Sequence, residues 1–241
     1  MKFVKSFALL AALTVAVPSL AAAQGGSKPT VAVLPFYNSA IGAANAELAP
    51  LSKGVADLLI GELAANPGLR VVERDQIQKV LDEQKLSSDG KVDNETAVKV
   101  GKLVGAHYMV TGTFVTDRSG RMRFASRVFN TETGLVIFPA SSGPNGVVNG
   151  KIEDFMDLVV QLAAKINAGA QLPAIPARVG EARKEAAKKV PYEAIALYSK
   201  GLAAKDAGNN AEAVTLFRQS LDKFPSFEKP KAELAKLDKM Q

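Results

Sequence analysis

Apolar positions in the first part of the chain alternate between the spacing of strands and that of helices. A nearly continuous apolar run at residues 30–36 is typical of a strand buried on both faces. Between residues 47 and 65, apolar residues recur at helical spacing, and an Asn-Pro-Gly sequence at 66–68 then ends the predicted helix. A second strand is predicted at 69–72, followed by a second helix over residues 77–85.

The same alternation continues to residue 167 and predicts the fold class. Asp93 is the predicted N-cap of a third helix, and residues 117–120 are predicted to form a tight hairpin turn. The further elements are predicted at residues 94–104 (helix), 107–116, 121–129 and 135–138 (strands) and 152–166 (helix). The order βαβααβββα predicts an α+β domain over residues 28–167, with helices packed on a small mixed sheet.

Beyond this domain the pattern becomes helical throughout. Residues 168–190 are predicted to be a linker, in which two prolines precede an Ala/Lys/Arg/Glu-rich stretch that could form a solvated helix. Residues 191–241 contain one match to the tetratricopeptide (TPR) pattern. The packing positions of this match are Gly201, Gly208, Ala213, Phe217 and Pro225. Because one repeat cannot bury its own faces, other parts of the chain are expected to cap it.

The N-terminus has the three parts of a secretory signal. Lys2 and Lys5 precede an apolar stretch, and the small residues Ala21 and Ala23 suit a signal peptidase. Residues 1–23 are therefore predicted to be a signal peptide cleaved after Ala23, which would deliver the protein to the periplasm. A membrane anchor is the weaker interpretation, since the apolar run is only about a dozen residues and a spanning helix needs roughly 20.

Composition narrows the chemistry that an exported form of the chain could use. The sequence contains no cysteine, which excludes a thioether-linked lipid anchor, disulfides and thiolate metal sites. The net charge is +6, and removal of Lys2 and Lys5 with the signal would reduce it to +4. This excess is interleaved with acidic residues, so we expect a solvated surface and no nucleic-acid partner. No later stretch is long and apolar enough to span a membrane as a helix.

Three segments of the α+β domain resemble the curli secretion-channel (CsgG-like) family. They are the opening strand at 31–36, the strand-to-helix segment at 71–86 and the glycine-flanked strand at 104–112. The motif residues in these segments are Val72, Glu73, Arg74, Gly105 and Gly112. The TolB amino-terminal domain and the lipoprotein activators of penicillin-binding proteins share the motifs. The resemblance implies an α+β fold and an envelope location, with these five residues in structural or interface roles.

The sequence also departs from that family. The resemblance implies a lipoprotein whose subunits each insert hairpins into a membrane, but this chain has no cysteine to acylate. The places where hairpins could be inserted are the turn at 117–120 and the small, turn-rich segment at 139–150, and both are too short. The channel function is therefore not expected here.

No residue pattern points to catalysis. His107 is the only histidine, and its place at the start of a strand favours a structural role over a catalytic one. Acidic neighbours such as Asp82-Glu83 and Glu153-Asp154 point about 100° apart on a helix, so their carboxylates do not converge. The nucleophile elbow, the phosphate loop and the dinucleotide fingerprint are absent from the sequence. We therefore predict no catalytic, cofactor-binding or metal-binding residues, and a protein that is not an enzyme.

The sequence thus favours a non-enzymatic soluble envelope protein that acts as a protein-binding adaptor or assembly factor. The TPR segment would present a helical groove to an envelope protein, and the α+β domain could form a homo-oligomer. At Glu73-Arg74, an ion pair or helix-start charge is favoured over a contact between subunits. The alternative function is a regulator of cell-wall synthesis, similar to the activators of penicillin-binding proteins.

Overall fold

The computed structural model describes residues 28–40, 43–86, 92–117, 119–138 and 146–239. The predicted signal peptide and its cleavage site lie outside the described residues, as does the first half of the turn-rich segment at 139–150.

Strands and helices alternate at first and give way to helices at the end. The strands are β1 (Thr30–Val33), β2 (Tyr37–Asn38), β3 (Arg70–Val71), β4 (Tyr108–Thr116), β5 (Arg121–Asn130), β6 (Val136–Phe138) and β7 (Val147–Lys151). The helices are α1 (Ala43–Leu48), α2 (Leu51–Ala64), α3 (Arg74–Glu83), α4 (Asn94–Leu103), α5 (Phe155–Gly169), α6 (Ala177–Ala187), α7 (Tyr192–Asp206), α8 (Asn210–Lys223) and α9 (Glu228–Asp238). A short 3-10 turn at Ile152–Asp154 leads into α5.

The strands form one mixed sheet in the order β3-β1-β4-β5-β6. The short strand β1 is parallel to both β3 and β4, and the long hairpin β4–β5 is antiparallel. β2 pairs with β4, and β7 pairs with β5. The predicted α+β class with a mixed sheet is confirmed.

Two local predictions are confirmed at the level of individual hydrogen bonds. The side chain of Asp93 accepts a hydrogen bond from the Thr96 backbone N–H at 2.7 Å and so caps α4. The side chain of Asp117 accepts from the N–H groups of Ser119 and Arg121, which closes the predicted turn between β4 and β5.

Three elements were not predicted: β2, α1 and β7. The correction at β7 is informative, because the sequence indicates a turn-rich segment where the structure has a strand along β5. Gly150 lies inside this strand, and a Cβ there would come within 2.5 Å of the Leu158 side chain of α5. The glycine therefore allows close sheet–helix packing and does not mark a turn.

Helices α2 and α5 lie against the sheet, and α2 is buried along most of its length. Aromatic rings continue this core toward the helical end of the chain. Phe36 and Phe114 contact Phe124, which packs edge-on against Phe155 with 5.7 Å between ring centroids, and Phe155 in turn contacts Tyr192 of α7. The core of the α+β part is thus continuous with the first turn of α7.

Helices α7 and α8 form a helical hairpin, on which α9 packs. Gly208 has φ +80° in the turn after α7, where its N–H donates to the Lys205 carbonyl and the Asn209 N–H donates to the Ala204 carbonyl. Gly105 has φ +67° and repeats this arrangement at the end of α4, with bonds to Lys102 and, from the Ala106 N–H, to Gly101. The assignment of the hairpin as a TPR, and the domain and linker boundaries, stay predictions.

Candidate functional site

The helical part of the chain docks on α2 of the α+β part through small and polar residues. Gly54 of α2 lies directly beneath Ser199 of α7, and a Cβ at position 54 would overlap the serine side chain. One turn further on, the buried Tyr198 hydroxyl donates a 2.7 Å hydrogen bond to Asp57 Oδ2. Asp57 Oδ2 is also 2.8 Å from Lys229 Nζ of α9, so this one carboxylate on α2 holds both α7 and α9.

Beside this contact lies a group of ionised side chains that we call the charged cluster: Lys53, Arg74, Asp75, Lys205 and Asp206. Two pairs of adjacent residues, Arg74-Asp75 and Lys205-Asp206, interact crosswise. Arg74 donates from Nη1 and Nη2 to the two carboxylate oxygens of Asp206 at 2.9 and 3.0 Å. Asp75 Oδ1 accepts from Lys205 Nζ at 3.1 Å. Lys53 of α2 adds a 2.5 Å contact to Asp206 Oδ2.

The charged cluster is deeply buried at its centre and more open at its edge. The Arg74 and Asp206 side chains are only 8% and 5% exposed, whereas the Asp75 side chain is 41% exposed. On the α9 side, Glu233 accepts from Lys205 and Lys236, and Lys236 also contacts Asp75 at 3.1 Å. The network therefore joins α2, α3, α7 and α9.

The environment shifts the pKa values of Asp75 and Tyr198 in the directions that favour the protonation state each has in these contacts. Partial burial by itself would raise the pKa of Asp75, but Lys205, Arg74 and Lys236 outweigh it and lower that pKa to about 2. Burial first, and then the negative charge of Asp57, raise the pKa of Tyr198 well above its usual value, which keeps the hydroxyl protonated as a donor.

Next to the docked helices an open cavity of about 510 Å³ lies between α2, α6 and the start of α9. We call it the α2–α6–α9 groove. Its apolar lining includes the buried side chains of Leu58, Met156, Ala187 and Phe227 and the half-buried Val190. Its volume lies within the range of about 300–1,000 Å³ that is typical of ligand pockets.

Polar groups are fixed in the walls of the α2–α6–α9 groove. Glu62 of α2 is 3% exposed at its side chain and accepts hydrogen bonds from Nε and Nη2 of Arg183 of α6. On the other side, the Lys229 side chain crosses over Gly61 and donates to the Asp57 backbone carbonyl at 3.1 Å. The groove thus has an apolar lining, with the Glu62–Arg183 ion pair and the lysines Lys189 and Lys229 at its edges.

The structure brings three of the five CsgG-like motif residues together. The buried Val72, the exposed Glu73 and Gly105 line a separate opening of about 390 Å³ beside the edge strand β3. Arg74 belongs to the charged cluster instead, and Gly112 lies on β4 against the Phe36 ring, where a Cβ would overlap the aromatic carbons.

The predicted TPR packing residues lie inside the α7–α8 hairpin or in its turns. Gly201 lies against the ring of Phe217, which is fully buried together with Ala213. Gly208 is in the turn between α7 and α8, and the exposed Pro225 follows the end of α8. These five residues are not in the lining of the α2–α6–α9 groove.

His107 and the Asp82-Glu83 pair have local partners. His107 Nδ1 accepts a 3.0 Å hydrogen bond from the Thr30 backbone N–H, which ties the start of β1 to β4. Asp82 accepts from Gln78 one turn earlier on α3. Within the described ranges, no group of three His, Asp or Glu residues is arranged to hold a metal ion. The expectation that the protein is not an enzyme stays a prediction.

Sequence reasoning missed the α2–α6–α9 groove because its walls come from three separate regions of the chain. The sequence shows the charged residues that fix these regions but does not show which of them interact. Asp57 and Lys229 are 172 residues apart, and Glu62 and Arg183 are 121 residues apart. For the charged cluster beside the groove, the sequence signal was Glu73-Arg74, which indicates a charged junction without naming Asp206 as the partner.

Comparison with known protein families agrees with the resemblance found in the sequence. The family model described as curli production assembly/transport component CsgG matches residues 14–121, which is less than half of the chain. A search of curated proteins found no match.

Solved structures similar to this chain cover about half of it. The LpoB C-terminal domain from Salmonella enterica is 16% identical and matches 51% of this chain and 81% of that domain, with a TM-score of 0.34. The NMR structure of LpoB from E. coli is 19% identical and matches 52% of this chain and 57% of that protein, with a TM-score of 0.39. Lipoprotein GNA1162 from Neisseria meningitidis is 12% identical over 51% of this chain and 79% of that protein, with a TM-score of 0.37.

Among the described helices of this chain, none is both long and apolar enough to cross a membrane.

Proposed function

We propose that this protein is a non-enzymatic binding protein of the cell envelope, which holds a segment of another protein in the α2–α6–α9 groove. The observation that carries the proposal is the groove itself: a cavity of about 510 Å³ with apolar side chains in its lining and fixed polar groups at its edges. Binding sites for flexible segments combine these two features, because apolar contact supplies affinity and a few polar groups fix the orientation.

The way the groove is built supports a role in binding. Its walls come from both the α+β part and the helical part, so the groove exists only while the helices are docked. The Glu62–Arg183 pair ties α6 to α2 in the wall, and the buried Arg74–Asp206 pair ties α7 to α3 beside the groove, both before any partner arrives. A site that is already formed loses less conformational entropy on binding than one that must be assembled.

The envelope location rests on two independent supports. The N-terminal sequence predicts export with cleavage after Ala23, and the matching family model describes a curli assembly and transport component. Fractionation of expressing cells, with N-terminal sequencing of the product, tests this part. A periplasmic form that starts at Gln24 is expected, and a cytoplasmic form that retains Met1 would contradict it.

Site-specific photocrosslinking in envelope preparations tests the binding function. A benzoyl-phenylalanine replaces Ser226, an exposed residue at the groove, and a control chain carries the same group at the exposed Lys99 of α4. We expect a discrete protein adduct from position 226 that is absent from position 99. We also expect a second substitution, Ala232→Trp, to abolish the adduct by filling the groove. Adducts from neither position, or equally from both, would contradict the proposal.

The identity of the adduct separates the two functions that the sequence leaves open. A component of a secretion assembly would support an adaptor or assembly factor. A cell-wall synthase, or co-sedimentation of the chain with peptidoglycan, would support the alternative function as a regulator of cell-wall synthesis.

Two further expectations belong to the same proposal. Turnover of a generic ester, glycoside or peptide substrate that is lost in His107→Ala would overturn the non-enzymatic part. Sedimentation of residues 24–241 measures the oligomeric state: a single-chain mass fits an adaptor, and a ring-sized particle would return the channel-like assembly of the CsgG-like family to consideration.

A further inference from the structure

We propose that the α2–α6–α9 groove selects an acidic peptide segment with a bulky apolar side chain at its centre. This inference rests on the proposed function and names the chemistry of the partner. It follows from three features of the groove: its apolar lining, the charge of the helix at its edge, and the polar groups in its walls.

The apolar lining calls for an apolar side chain. The buried Leu58, Met156 and Phe227 line the groove together with the half-buried Val190 and Phe224. Burial of an aromatic or branched side chain against these apolar groups is favourable by about 25 cal/mol for each Å² of apolar surface removed from water.

The edge formed by α6 calls for negative charge. Between residues 177 and 189 the chain has five basic and two acidic side chains, and one of the five, Arg183, is already paired with Glu62 of α2. The two acids, Glu181 and Glu185, form exposed pairs with Lys184 and Lys188, which are worth little in water. Lys189, which is exposed and lines the groove, forms no direct ion pair among the described residues, and the one acidic side chain it is seen to interact with at longer range is Glu185.

The walls favour a peptide over an acyl chain. The buried carboxylate of Glu62 and the Lys229 side chain lie in the lining, where a hydrocarbon chain would desolvate them without offering a hydrogen bond. Arg183 uses Nε and Nη2 for Glu62, and its Nη1 has no partner among the described residues. A peptide carbonyl supplies the missing acceptor.

Binding of labelled synthetic peptides to the full-length mature chain tests the inference by fluorescence anisotropy. The test peptide has Asp and Glu residues on both sides of a Leu-Phe centre. One comparison peptide has Lys in place of the acids, and a second has Ala in place of Leu-Phe. We expect the acidic apolar peptide to bind at least about tenfold more tightly than either, and its affinity to fall as salt is raised.

Variants of the groove make the assignment specific. Lys189→Glu is expected to lower the affinity for the acidic peptide by about three- to tenfold, mainly through a slower association rate. The matched control Lys99→Glu reverses an exposed charge on α4 and is expected to leave affinity unchanged. Ala186→Trp, at an exposed position on the groove side of α6, is expected to abolish binding while circular dichroism remains that of the parent chain.

The contrary outcomes are distinct. Equal binding of acidic and basic peptides, or equal loss in Lys189→Glu and Lys99→Glu, overturns the inference. Binding to vesicles that contain phosphatidylglycerol, lost in Lys189→Glu and without any peptide binding, overturns it in favour of a lipid surface. A protein adduct from position 226 without a preference for acidic peptides defeats this inference and leaves the proposed function standing, whereas the absence of any adduct defeats the proposed function itself.

Discussion

Gly201 determines how closely α7 and α8 approach each other. The Phe217 ring lies against its backbone, and the nearest ring carbon would be only 2.5 Å from an added Cβ. Gly180 of α6 is a matched contrast, because a Cβ there would meet only Ile175 Cγ2 at an ordinary 3.7 Å. A Cβ would therefore clash at position 201 and would be accommodated at position 180, although both glycines lie inside helices.

Alanine substitutions at these two positions are expected to act in opposite directions. Gly201→Ala should lower the free energy of unfolding by about 1–3 kcal/mol, because Phe217 has to leave its position. Gly180→Ala should raise it by up to about 1 kcal/mol, since alanine is the better helix former and has room. Urea denaturation of both variants checks the contrast, which would be refuted by equal effects.

The sequence anticipated single residues where the cause of their role is local. The helix cap at Asp93 and the turn at Asp117 depend on residues within four positions, and both were predicted. For Asp57 and Glu62 the sequence pattern indicates only polar positions on a helix. Their partners are Tyr198, Lys229 and Arg183, which become neighbours only when the chain has folded.

The charged cluster joins α3 to α2 and α7 through ionised side chains. Asp206 ends α7 and receives Arg74 of α3 and Lys53 of α2, all three at low exposure. Such a group stabilises the fold only while every charge keeps its partner, because the energy needed to remove ions from water is large.

Removal of the central carboxylate should therefore be costly. Asp206→Asn is expected to lower the free energy of unfolding by about 3 kcal/mol, because Arg74 and Lys53 lose the charge that compensates their burial. In the control variant Glu193→Gln, an exposed 3.7 Å pair with Lys223 is lost, and a change of less than about 0.5 kcal/mol is expected. Chemical denaturation of both proteins measures the difference, and similar small losses would show that the cluster is not stabilising.

The same cluster predicts a pH dependence with a definite sign. The pKa of Asp75 is lowered from 3.8 to about 2 in the folded chain. The folded state therefore binds fewer protons than the unfolded state between these values, so the stabilisation is complete above about pH 4 and is lost as the pH falls toward 2. Asp75→Asn should be less stable than the parent at pH 7, and the difference should disappear near pH 2. Denaturation at a series of pH values tests this, and a pH-independent difference would contradict it.

Among the elements, long segments with one clear period were predictable and short ones were not. Helices α2, α4 and α5 and the hairpin β4–β5 follow from their apolar spacing, which matches the faces that the structure buries. β2 has two residues and α1 has six, too few for a period to show. β7 contains Asn149 and Gly150, both typical of turns, and its strand conformation depends on β5 and on the Leu158 side chain.

At the scale of the whole molecule, the helical part covers a face of α2 that the sheet does not reach. α2 is buried both on the side of α5 and on the side of α7, although only one of these is required by the α+β fold. At α2 the structure gives α7 such a cover, while the assignment of the α7–α8 hairpin as a tetratricopeptide repeat stays a prediction. The α2–α6–α9 groove results from this docking and could not be predicted from either part alone.

Removal of the helical part should expose that face. A chain of residues 24–170 is expected to bind a hydrophobic dye and to self-associate, because Leu58 and neighbouring α2 surface lose their cover. Size-exclusion chromatography and dye fluorescence, with the chain of residues 24–241 as control, measure this. A monomeric truncated chain without dye binding would show that the two parts are independent.

The crosswise pairing of Arg74-Asp75 with Lys205-Asp206 also has an evolutionary consequence. Each dipeptide carries one charge of each sign, and the sign order of one fits that of the other across about 130 residues of chain. Reversing the charge order in one dipeptide alone places like charges face to face, and the same reversal in both restores attraction among the four residues, although Lys53 would then face a positive charge at position 206 and Glu233 a negative charge at position 205. Selection therefore acts on the four positions together, so descendants that retain the docked helices should change them in concert.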